Sequence, residues 1–494
     1  MPNETLSNSF LPRALIFCDQ LSAVTIKPEK NSLALWANRS LIFGVILFAL
    51  SLPHSIAASY ISLSLCAVSW IGRDLAMHKF HFVRTPLDLP LLCFVVLTFL
   101  SALASAEPAI SLPKTRSVLI FAVLYLCVAN LQQRAVHFLL GLLIFSGLVG
   151  VFFSLGEKII GRGMIVTTIQ STSPLAASQL QSDDVIWMIA RQRVSSVAAA
   201  NQIIRQSKSG TTLEIEALHD GDPLPVEVKI TDELKAEADP LKININGRSR
   251  RFRVSGFSRH FLTYAEQMQI FGLLAFGFLL APSPRRRLAL SGILCALFSL
   301  TLILTASRAV IASFLIALVL TAILMASRRL AIITLIAALI VGGIAAYVLI
   351  ATRTTSAVNF GDDSSARRIG YMQAGLKLIP QHPLLGVGMD AHKKHWHEWG
   401  FPGEYITHTH STPIQIAMER GLPALGCYLW LLLTIGWVTW RGWREKNDGV
   451  CFGALAALLG FSLSSLVNYN FGDSEVVLLL LFIVGLAIKK RRDE

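Results

Sequence analysis

The sequence predicts an all-α polytopic membrane protein of about twelve transmembrane helices, with a small α+β insertion on one side of the membrane. Its 494 residues are 53% hydrophobic and only 15% charged, whereas about 25% of the residues are charged in a typical soluble domain. Apolar runs long enough to cross a bilayer recur along the chain, and two long polar intervals interrupt them. This composition excludes a water-soluble multidomain enzyme and a disordered chain.

Five apolar runs precede the first polar interval, four lie between the two intervals and three follow the second. About 20 apolar residues in a helix cross the hydrocarbon core of a bilayer. The runs cover residues 34–52, 54–72, 88–106, 115–131 and 135–155, then 264–281, 287–305, 309–326 and 330–350, then 421–440, 449–468 and 474–488. We therefore divide the chain into a cytoplasmic segment (1–33), helices 1–5 (34–155), an insertion (156–250), helices 6–9 (251–350), a polar loop (351–420), helices 10–12 (421–488) and a basic tail (489–494).

The net charge of +13 indicates orientation rather than a nucleic-acid partner, because basic residues accumulate in the cytoplasmic loops of membrane proteins. The basic clusters at residues 285–287, 328–329 and 489–492 fall on one side when the N-terminus is cytoplasmic. Both termini are then cytoplasmic, and both long polar intervals face the other side. The short cytoplasmic segments hold no glycine-rich phosphate loop, which excludes an ATP-driven pump. A substrate at the outer face must therefore arrive already activated.

Two histidines, His408 and His410, end the second polar interval just before the span that begins at Gly421. An acceptor hydroxyl from the water and a lipid-linked donor in the bilayer can meet at this boundary. Imidazole suits the site because its pKa near 6.5 lets it orient or deprotonate a hydroxyl near neutral pH. The alternative is that both histidines only cap an interfacial helix.

Arg308 stands alone between two apolar runs, on the outer side and against the orientation bias. A guanidinium binds phosphate oxygens in a bidentate manner. Arg308 together with Arg367 or Arg368 would therefore neutralise a diphosphate leaving group without a metal. The alternative is an arginine that extends its charged end to the interface.

The spacing of His392, His395 and His397 would suit a metal, but no carboxylate or cysteine arrangement completes the set. Trp396 and Trp399 lie between and beside these histidines, so a loop that faces a saccharide or a headgroup explains them equally well. We predict no metal and no cofactor.

Four ordered segments resemble the superfamily of O-antigen ligases and lipid-linked polysaccharide polymerases, which are bacterial integral-membrane glycosyltransferases of GT-C-like fold. They are residues 253–264, residues 304–308 with the Ser-Arg pair, residues 365–368 with the turn at 382–388, and residues 408–411 followed after nine residues by Gly421. Together they span about residues 250–430.

The resemblance implies a metal-independent, inverting transfer of a glycan from undecaprenyl diphosphate to a sugar hydroxyl, at the periplasmic face of the bacterial inner membrane. His410 would be the catalytic histidine, and Arg308 and Arg368 would bind the diphosphate. Arg368 is preferred to its neighbour because residues 368–372 best fit the family helix. The remaining predicted substrate-binding residues are Arg253, His260, Arg367, His408, Ser411 and Glu419.

The acceptor is either lipid A–core, for a ligase, or a growing glycan, for a polymerase. Ser411 replaces the commoner asparagine, and Cys427 and Tyr428 stand where the family often has threonines, so both alternatives stay open. A transferase that acts on protein hydroxyls would share this chemistry. A transporter or flippase without bond chemistry is the alternative from a different class, and it predicts ionisable groups near mid-membrane.

The insertion resembles a bacterial PDZ domain in residues 173–186, followed by a helix around residues 194–204 and two strands around an Asp220-Gly221 turn. Residues 161–165 would form the loop that binds a peptide carboxylate, and Asp183 stands where the PDZ pattern has glycine. Two interpretations stay open. The insertion shields the active site as a small cap, or it recruits a periplasmic protein partner by strand addition through residues 156–250.

Overall fold

The computed structural model describes residues 10–27, 31–219, 222–250, 252–282, 284–325, 328–352, 363–404 and 406–493. Long apolar helices make up most of it, and one antiparallel sheet lies within the predicted insertion. The mostly helical class with a small α+β insertion is therefore confirmed.

The described residues before the insertion form seven α-helices. The fourth predicted span is not one continuous α-helix. The helices are α1 (Phe10–Leu21), α2 (Ser32–Ser51), α3 (Ile56–Ala76), α4 (Asp88–Leu103), α5 (Pro108–Lys114), α6 (Ala122–Asn130) and α7 (Gln133–Ile160). A 3-10 segment, Thr115–Phe121, joins α5 to α6, and Pro113 lies inside α5. Proline removes a helical hydrogen bond, and it stands just before this change of helix type.

The described residues of the insertion fold into six strands and two helices, which we call the PDZ-like module. In chain order they are β1 (Met164–Ile169), β2 (Val185–Ile189), β3 (Gln192–Arg193), α8 (Val197–Gln206), β4 (Thr212–His219), β5 (Asp222–Lys229), α9 (Asp232–Ala236) and β6 (Ile243–Ile245). The sheet order is β5-β4-β2-β1-β6, with β3 paired to β2. The predicted helix and strand pair are confirmed, and the Asp220-Gly221 turn lies outside the described residues.

The helices after the module contain the remaining predicted spans. They are α10 (Phe261–Leu280), α11 (Arg285–Leu304), α12 (Arg308–Met325), α13 (Arg328–Thr352), α14 (Asp363–Leu378), α15 (Ala391–Lys394), α16 (Thr412–Lys446), α17 (Gly449–Ser464) and α18 (Ser474–Asp493). α16 is kinked at Gly421, which is where a span was predicted to begin.

Every predicted apolar run coincides with a helix or a broken helix, but the number of membrane crossings stays a prediction. Six stretches of the described chain are long and apolar enough to cross a membrane: Ser32–Ser51, Ile56–Ala76, Pro108–Asn130, Gln133–Ile160, Arg285–Leu304 and Thr412–Lys446. Four other helices, α4, α12, α13 and α17, are apolar over a stretch shorter than these six. α10 carries the polar residues Glu266, Gln267 and Gln269, and α18 ends in a basic run.

The centre of the bundle is formed by α10, α17 and α18, whose side chains are buried along most of their lengths. A Cβ atom at Gly277 of α10 would lie 2.3 Å from the Cα atom of Gly453 in α17. Small residues let membrane helices approach this closely. Helices α3 and α13 instead expose large apolar side chains such as Ile61 and Leu339, as lipid-facing helices do.

The ends of several helices and the segments next to them meet at one end of the bundle, which we call the site end. Val254 donates its N–H to the carbonyl of Leu304 at the end of α11, and Lys158 near the end of α7 donates to the carbonyl of Phe252. The N–H of Thr412 bonds to the carbonyl of Ser465, just beyond α17. The PDZ-like module is attached at this end, between α7 and α10.

The two faces of the module's sheet have different neighbours, because successive side chains of a strand point to opposite faces. Ile186 and Ile215 lie in the module's own core, under α8. Val185, Trp187 and Leu218 point the other way and pack in the hydrophobic cluster of the membrane helices. The module is therefore packed against the site end of the bundle.

Both edges of β1 are occupied within the chain, by β2 on one side and by β6 on the other. The amides of the predicted carboxylate loop are also engaged: Arg162 donates its N–H to the carbonyl of Ser249, and Ile165 donates to Gly247. A partner strand would have to displace β6 to pair with β1. Recruitment of a periplasmic partner through residues 156–250 stays a prediction.

Candidate active site

A cavity of about 900 Å³ opens at the site end, between the PDZ-like module and the membrane helices. Its wall combines strand β4 of the module, the segment before α10, helix α14, the residue two before α16 and the turn before α18. Five of the predicted site residues line it: Arg253, His260, Arg367, Arg368 and His410. The structure thus brings together residues that are up to 157 positions apart in sequence, from 253 to 410.

His410 is held in place by the anchored start of α16. The N–H of Thr412 bonds to the carbonyls of Ser465 and Asn468, and its hydroxyl donates to Oδ1 of Asn470. His410 has a φ angle of 54°, in the left-handed region that non-glycine residues rarely adopt. Strained backbone of this kind persists only where the surroundings impose it, and it clusters at active sites.

The His410 ring lies between two other rings. It stacks on Tyr371, with centroids 5.8 Å apart, and it meets the ring of His408 edge-on at 4.4 Å. The backbone N–H of His410 donates to Nδ1 of His408. Nδ1 of His410 is buried and has no hydrogen-bond partner among the described residues. The ring is therefore oriented by packing rather than by a hydrogen bond at Nδ1.

The electrostatics keep His410 neutral. Burial, helped by the neighbouring His408, Arg368 and His260, lowers its pKa to about 3. Burial also lowers the pKa of His408 and of His260 to about 4. At neutral pH the imidazole of His410 is thus unprotonated and able to accept a proton. An anionic ligand beside Arg368 would offset the positive field and raise this pKa again.

Arginines form the basic part of the cavity wall. Arg367 and Arg368 are adjacent on α14, and the guanidinium of Arg253 lies over the ring of Phe261, 4.4 Å from its centroid. Arg259 and Arg162 also line the cavity, and the sequence analysis missed both. Planar guanidinium groups bind phosphate oxygens through pairs of parallel hydrogen bonds. This wall can therefore hold a diphosphate.

Arg308 is half-buried at the start of α12 and is not among the described residues that line the cavity. It follows Ala306, whose φ angle of 51° marks a sharp turn. This turn follows the end of α11, where Leu304 is bonded to Val254, the neighbour of Arg253. One turn therefore separates Arg308 from the end of α11. That end is hydrogen-bonded to the segment that carries Arg253, a residue of the cavity wall.

Three other predicted site residues, His408, Ser411 and Glu419, lie beside the cavity rather than in its wall. The His408 ring packs between those of His410 and Tyr469, and Ser411 is buried immediately before α16. Glu419 is buried and its Oε1 accepts hydrogen bonds from the N–H of Asp390 and from Nε2 of Gln415. In this structure these residues contact the elements that carry His410.

The turn at residues 382–388 pairs with the chain around the kink of α16. The N–H groups of Val387 and Gly388 donate to the carbonyls of Met418 and Glu419, and Leu422 donates to the carbonyl of Pro383. A Cβ atom at Gly421 would lie 2.1 Å from the carbonyl oxygen of Leu384. The glycine is thus required by close backbone contact, and the turn fixes the segment that follows His410.

Acidic residues form a second part of the wall, which the sequence analysis missed. Asp473 and Glu475 lie at the start of α18, and Glu214 and Glu216 lie on β4 of the module. The Thr263 hydroxyl donates to Asp473, and burial raises the pKa of Asp473. Burial and repulsion by Glu214 also raise the pKa of Glu216. The alternation along β4 places both glutamates on one face, but only the tertiary structure reveals that this face lines the cavity.

His392, His395 and His397 do not converge. His392 Nε2 contacts the carbonyl of Thr407, and His395 pairs with Glu398 and Glu107. Among the described residues no three histidine, cysteine, aspartate or glutamate side chains are grouped so that they could hold a metal ion.

Two parts of the chain match known protein families. Residues 293–429 match the family model of O-antigen ligase, and residues 147–230 match the family model of the PDZ domain. The first match contains Arg308, Arg367, Arg368 and His410, and the second covers most of the module. No curated protein matches the chain. Both resemblances proposed from the sequence are confirmed, and the chain is similar to membrane glycosyltransferases of the ligase and polymerase type.

Proposed function

We propose that the protein transfers a glycan from undecaprenyl diphosphate to a sugar hydroxyl of lipid A–core, as an O-antigen ligase. The observation that carries this proposal is that a neutral His410 lines the same cavity as Arg253, Arg367 and Arg368. The neutral imidazole suits a proton acceptor, and the arginines suit a diphosphate leaving group. The similarity of residues 293–429 to the O-antigen ligase family supports it.

The reaction is an inverting displacement. The acceptor hydroxyl oxygen attacks the anomeric carbon of the donor, a new glycosidic C–O bond forms, and the bond from this carbon to the phosphate oxygen breaks. His410 accepts the hydroxyl proton. The electron pair of the broken bond leaves with undecaprenyl diphosphate, whose charge Arg368 and Arg308 neutralise. No metal is needed in this scheme, because the cationic side chains stabilise the leaving group.

The proposed setting is the bacterial inner membrane, with both termini in the cytoplasm and the cavity on the periplasmic side. The basic clusters at residues 285–287 and 489–492 support this orientation. The cavity's position at the end of the helical bundle fits a lipid-linked donor in the bilayer and a water-soluble acceptor head. The hydrophobic part of the donor would remain in the lipid.

The experiment that tests the function is a gel of surface polysaccharide and of carrier-linked glycan from a deletion strain of the native host. Long polymer on the carrier with bare lipid A–core is the result expected of a ligase. Complementation by the wild-type gene, but not by the His410→Ala variant at equal membrane abundance, would assign the defect to this site. No change in either glycan pool would refute the proposal.

A polymerase that extends O-antigen or exopolysaccharide repeats is the second candidate. The additional module that lines the cavity favours it. The same gel distinguishes the two functions. A polymerase deletion leaves only single repeats, on the carrier or on the core.

A further inference from the structure

One face of the PDZ-like module forms part of the cavity wall. Glu214, Glu216 and Leu218 alternate along β4 and share this face, and all three line the cavity. Trp187 of the neighbouring strand β2 lines it too. The module therefore contributes side chains to the same space as His410.

Trp187 has an unsatisfied hydrogen-bond donor. Its side chain is 8% exposed, and its indole Nε1 is buried with no acceptor among the described residues. The guanidinium of Arg162 lies over the ring, 4.8 Å from the centroid. A buried donor without an acceptor costs free energy, and a ligand that enters the cavity can supply that acceptor.

The cavity wall carries both signs of charge. Arg253, Arg259, Arg367 and Arg368 form the basic part, whereas Glu214 and Glu216 are acidic residues of the module. Arg162 of the module also lines the cavity, and its charge is paired with that of Glu157. Carboxylates repel a diphosphate, so the donor's charged group belongs at the arginines. The same carboxylates accept hydrogen bonds from hydroxyl groups, and the indole N–H donates one. The module's part of the wall thus suits an uncharged, hydroxyl-rich ligand.

Strand β6 already occupies the edge of β1, and the amides of residues 162 and 165 are bonded within the chain. The peptide groove of the module is therefore filled by its own sequence. The cavity-facing side of the sheet is a second surface through which the module can contact a substrate.

We propose that this face of the module is the carbohydrate subsite for the acceptor, in which Glu214 and Glu216 accept hydrogen bonds from sugar hydroxyls and Trp187 donates one. The inference rests on the proposed transferase function and adds a location for the acceptor. It assigns to the module acceptor recognition rather than the capture of a protein terminus.

The test measures binding of two probes to the full-length protein in lipid nanodiscs: core oligosaccharide released from the host's lipopolysaccharide, and the repeat unit released from its carrier. Wild-type protein should bind one of the two probes. The Glu214→Gln/Glu216→Gln double variant should bind about tenfold more weakly, since two charged acceptors are lost. Trp187→Phe should weaken binding by a smaller factor, because the ring remains.

Glu233→Gln, on exposed α9 and outside the cavity wall, is the matched control and should bind like the wild type. The double variant should also raise the acceptor KM without changing the donor KM. Unchanged binding in the double variant, or no binding of either probe by the wild type, overturns the subsite. Binding lost in the double variant while the wild type transfers no glycan would instead leave the subsite standing and refute the proposed function.

Discussion

The ring of Tyr371 stacks on the ring of His410, with an interplanar angle of 20°. Tyr371 is itself buried, and it meets the indole of Trp396 edge-on at 5.3 Å. The orientation of His410 is therefore fixed through α14, the helix that also carries Arg367 and Arg368. One helix thus positions the proposed base and presents the proposed phosphate-binding arginines.

We expect Tyr371→Ala to lower kcat about tenfold or more with little change in the donor KM, because the imidazole loses the surface that orients it. Tyr371→Phe keeps the stacking ring and should retain most of the activity. Glycan transfer by purified protein measures both. Equal loss in the two variants would show that the phenol hydroxyl, rather than the ring, matters.

Replacement of the three proposed catalytic residues should abolish or strongly reduce transfer without affecting membrane insertion. His410→Ala removes the proton acceptor, which contributes about 10²–10⁴-fold in general-base catalysis. Arg308→Ala and Arg368→Ala each remove positive charge proposed to act on the leaving group. Transfer assays at matched protein abundance measure the effects.

Arg441→Ala, at the exposed far end of α16, is the control for this series and should be fully active. Wild-type activity in the purified His410→Ala protein would exclude the proposed base. Full activity of Arg308→Ala would restrict the diphosphate site to the arginines that line the cavity.

The pH dependence of kcat/KM should have no acidic limb from His410 between pH 5 and 8. Burial lowers the pKa of His410 to about 3, so the neutral form persists well below pH 6.5. An ordinary histidine would be half protonated near pH 6.5. Arg368→Gln removes one of the charges that lower this pKa and should shift the acidic limit of the remaining activity upward.

NMR titration of histidine-labelled protein provides the independent check, with His410→Gln used for assignment. The His410 resonance should not titrate between pH 5 and 8 without a ligand. A resonance that titrates near pH 6.5 would contradict the buried, neutral state described here.

The helices were largely predictable from the sequence, because runs of about 20 apolar residues are determined by the solvent that surrounds them. The predicted run at 264–281 is α10, which begins slightly earlier, at Phe261. The 3-10 segment Thr115–Phe121, at the start of the predicted run 115–131, was not predicted, since apolar composition does not distinguish a 3-10 helix from an α-helix. The number of membrane crossings also stays a prediction, because hydropathy alone does not show whether α10 and α18 cross the membrane.

The site was predictable only in part. Arg253, His260, Arg367, Arg368 and His410 were identified from motifs, and the structure brings these five together. The other wall was not identified, because it depends on how the module docks on the bundle. No local pattern distinguishes the cavity-facing glutamates of β4 from an ordinary solvent-exposed strand face.

The kink of α16 depends on a glycine. Gly421 has φ and ψ angles of 84° and 167°, a conformation that costs other residues about 1–3 kcal/mol. A Cβ atom there would also meet the backbone of Leu384. Gly421→Ala should therefore lower the melting temperature and the transfer rate together, because the 382–388 turn can no longer pair with the segment after His410.

Gly426 is the matched control, since it lies five residues further along the same helix and a Cβ atom there would meet nothing within 4 Å. Gly426→Ala should leave both properties unchanged or slightly raise stability, because alanine favours a helix. Thermal unfolding, followed by size-exclusion chromatography in detergent, measures the stability of both variants. The glycan-transfer assay measures their rates. If Gly421→Ala were as stable and active as Gly426→Ala, the kink would not be what holds His410 at the cavity, and the anchoring of Thr412 would have to suffice.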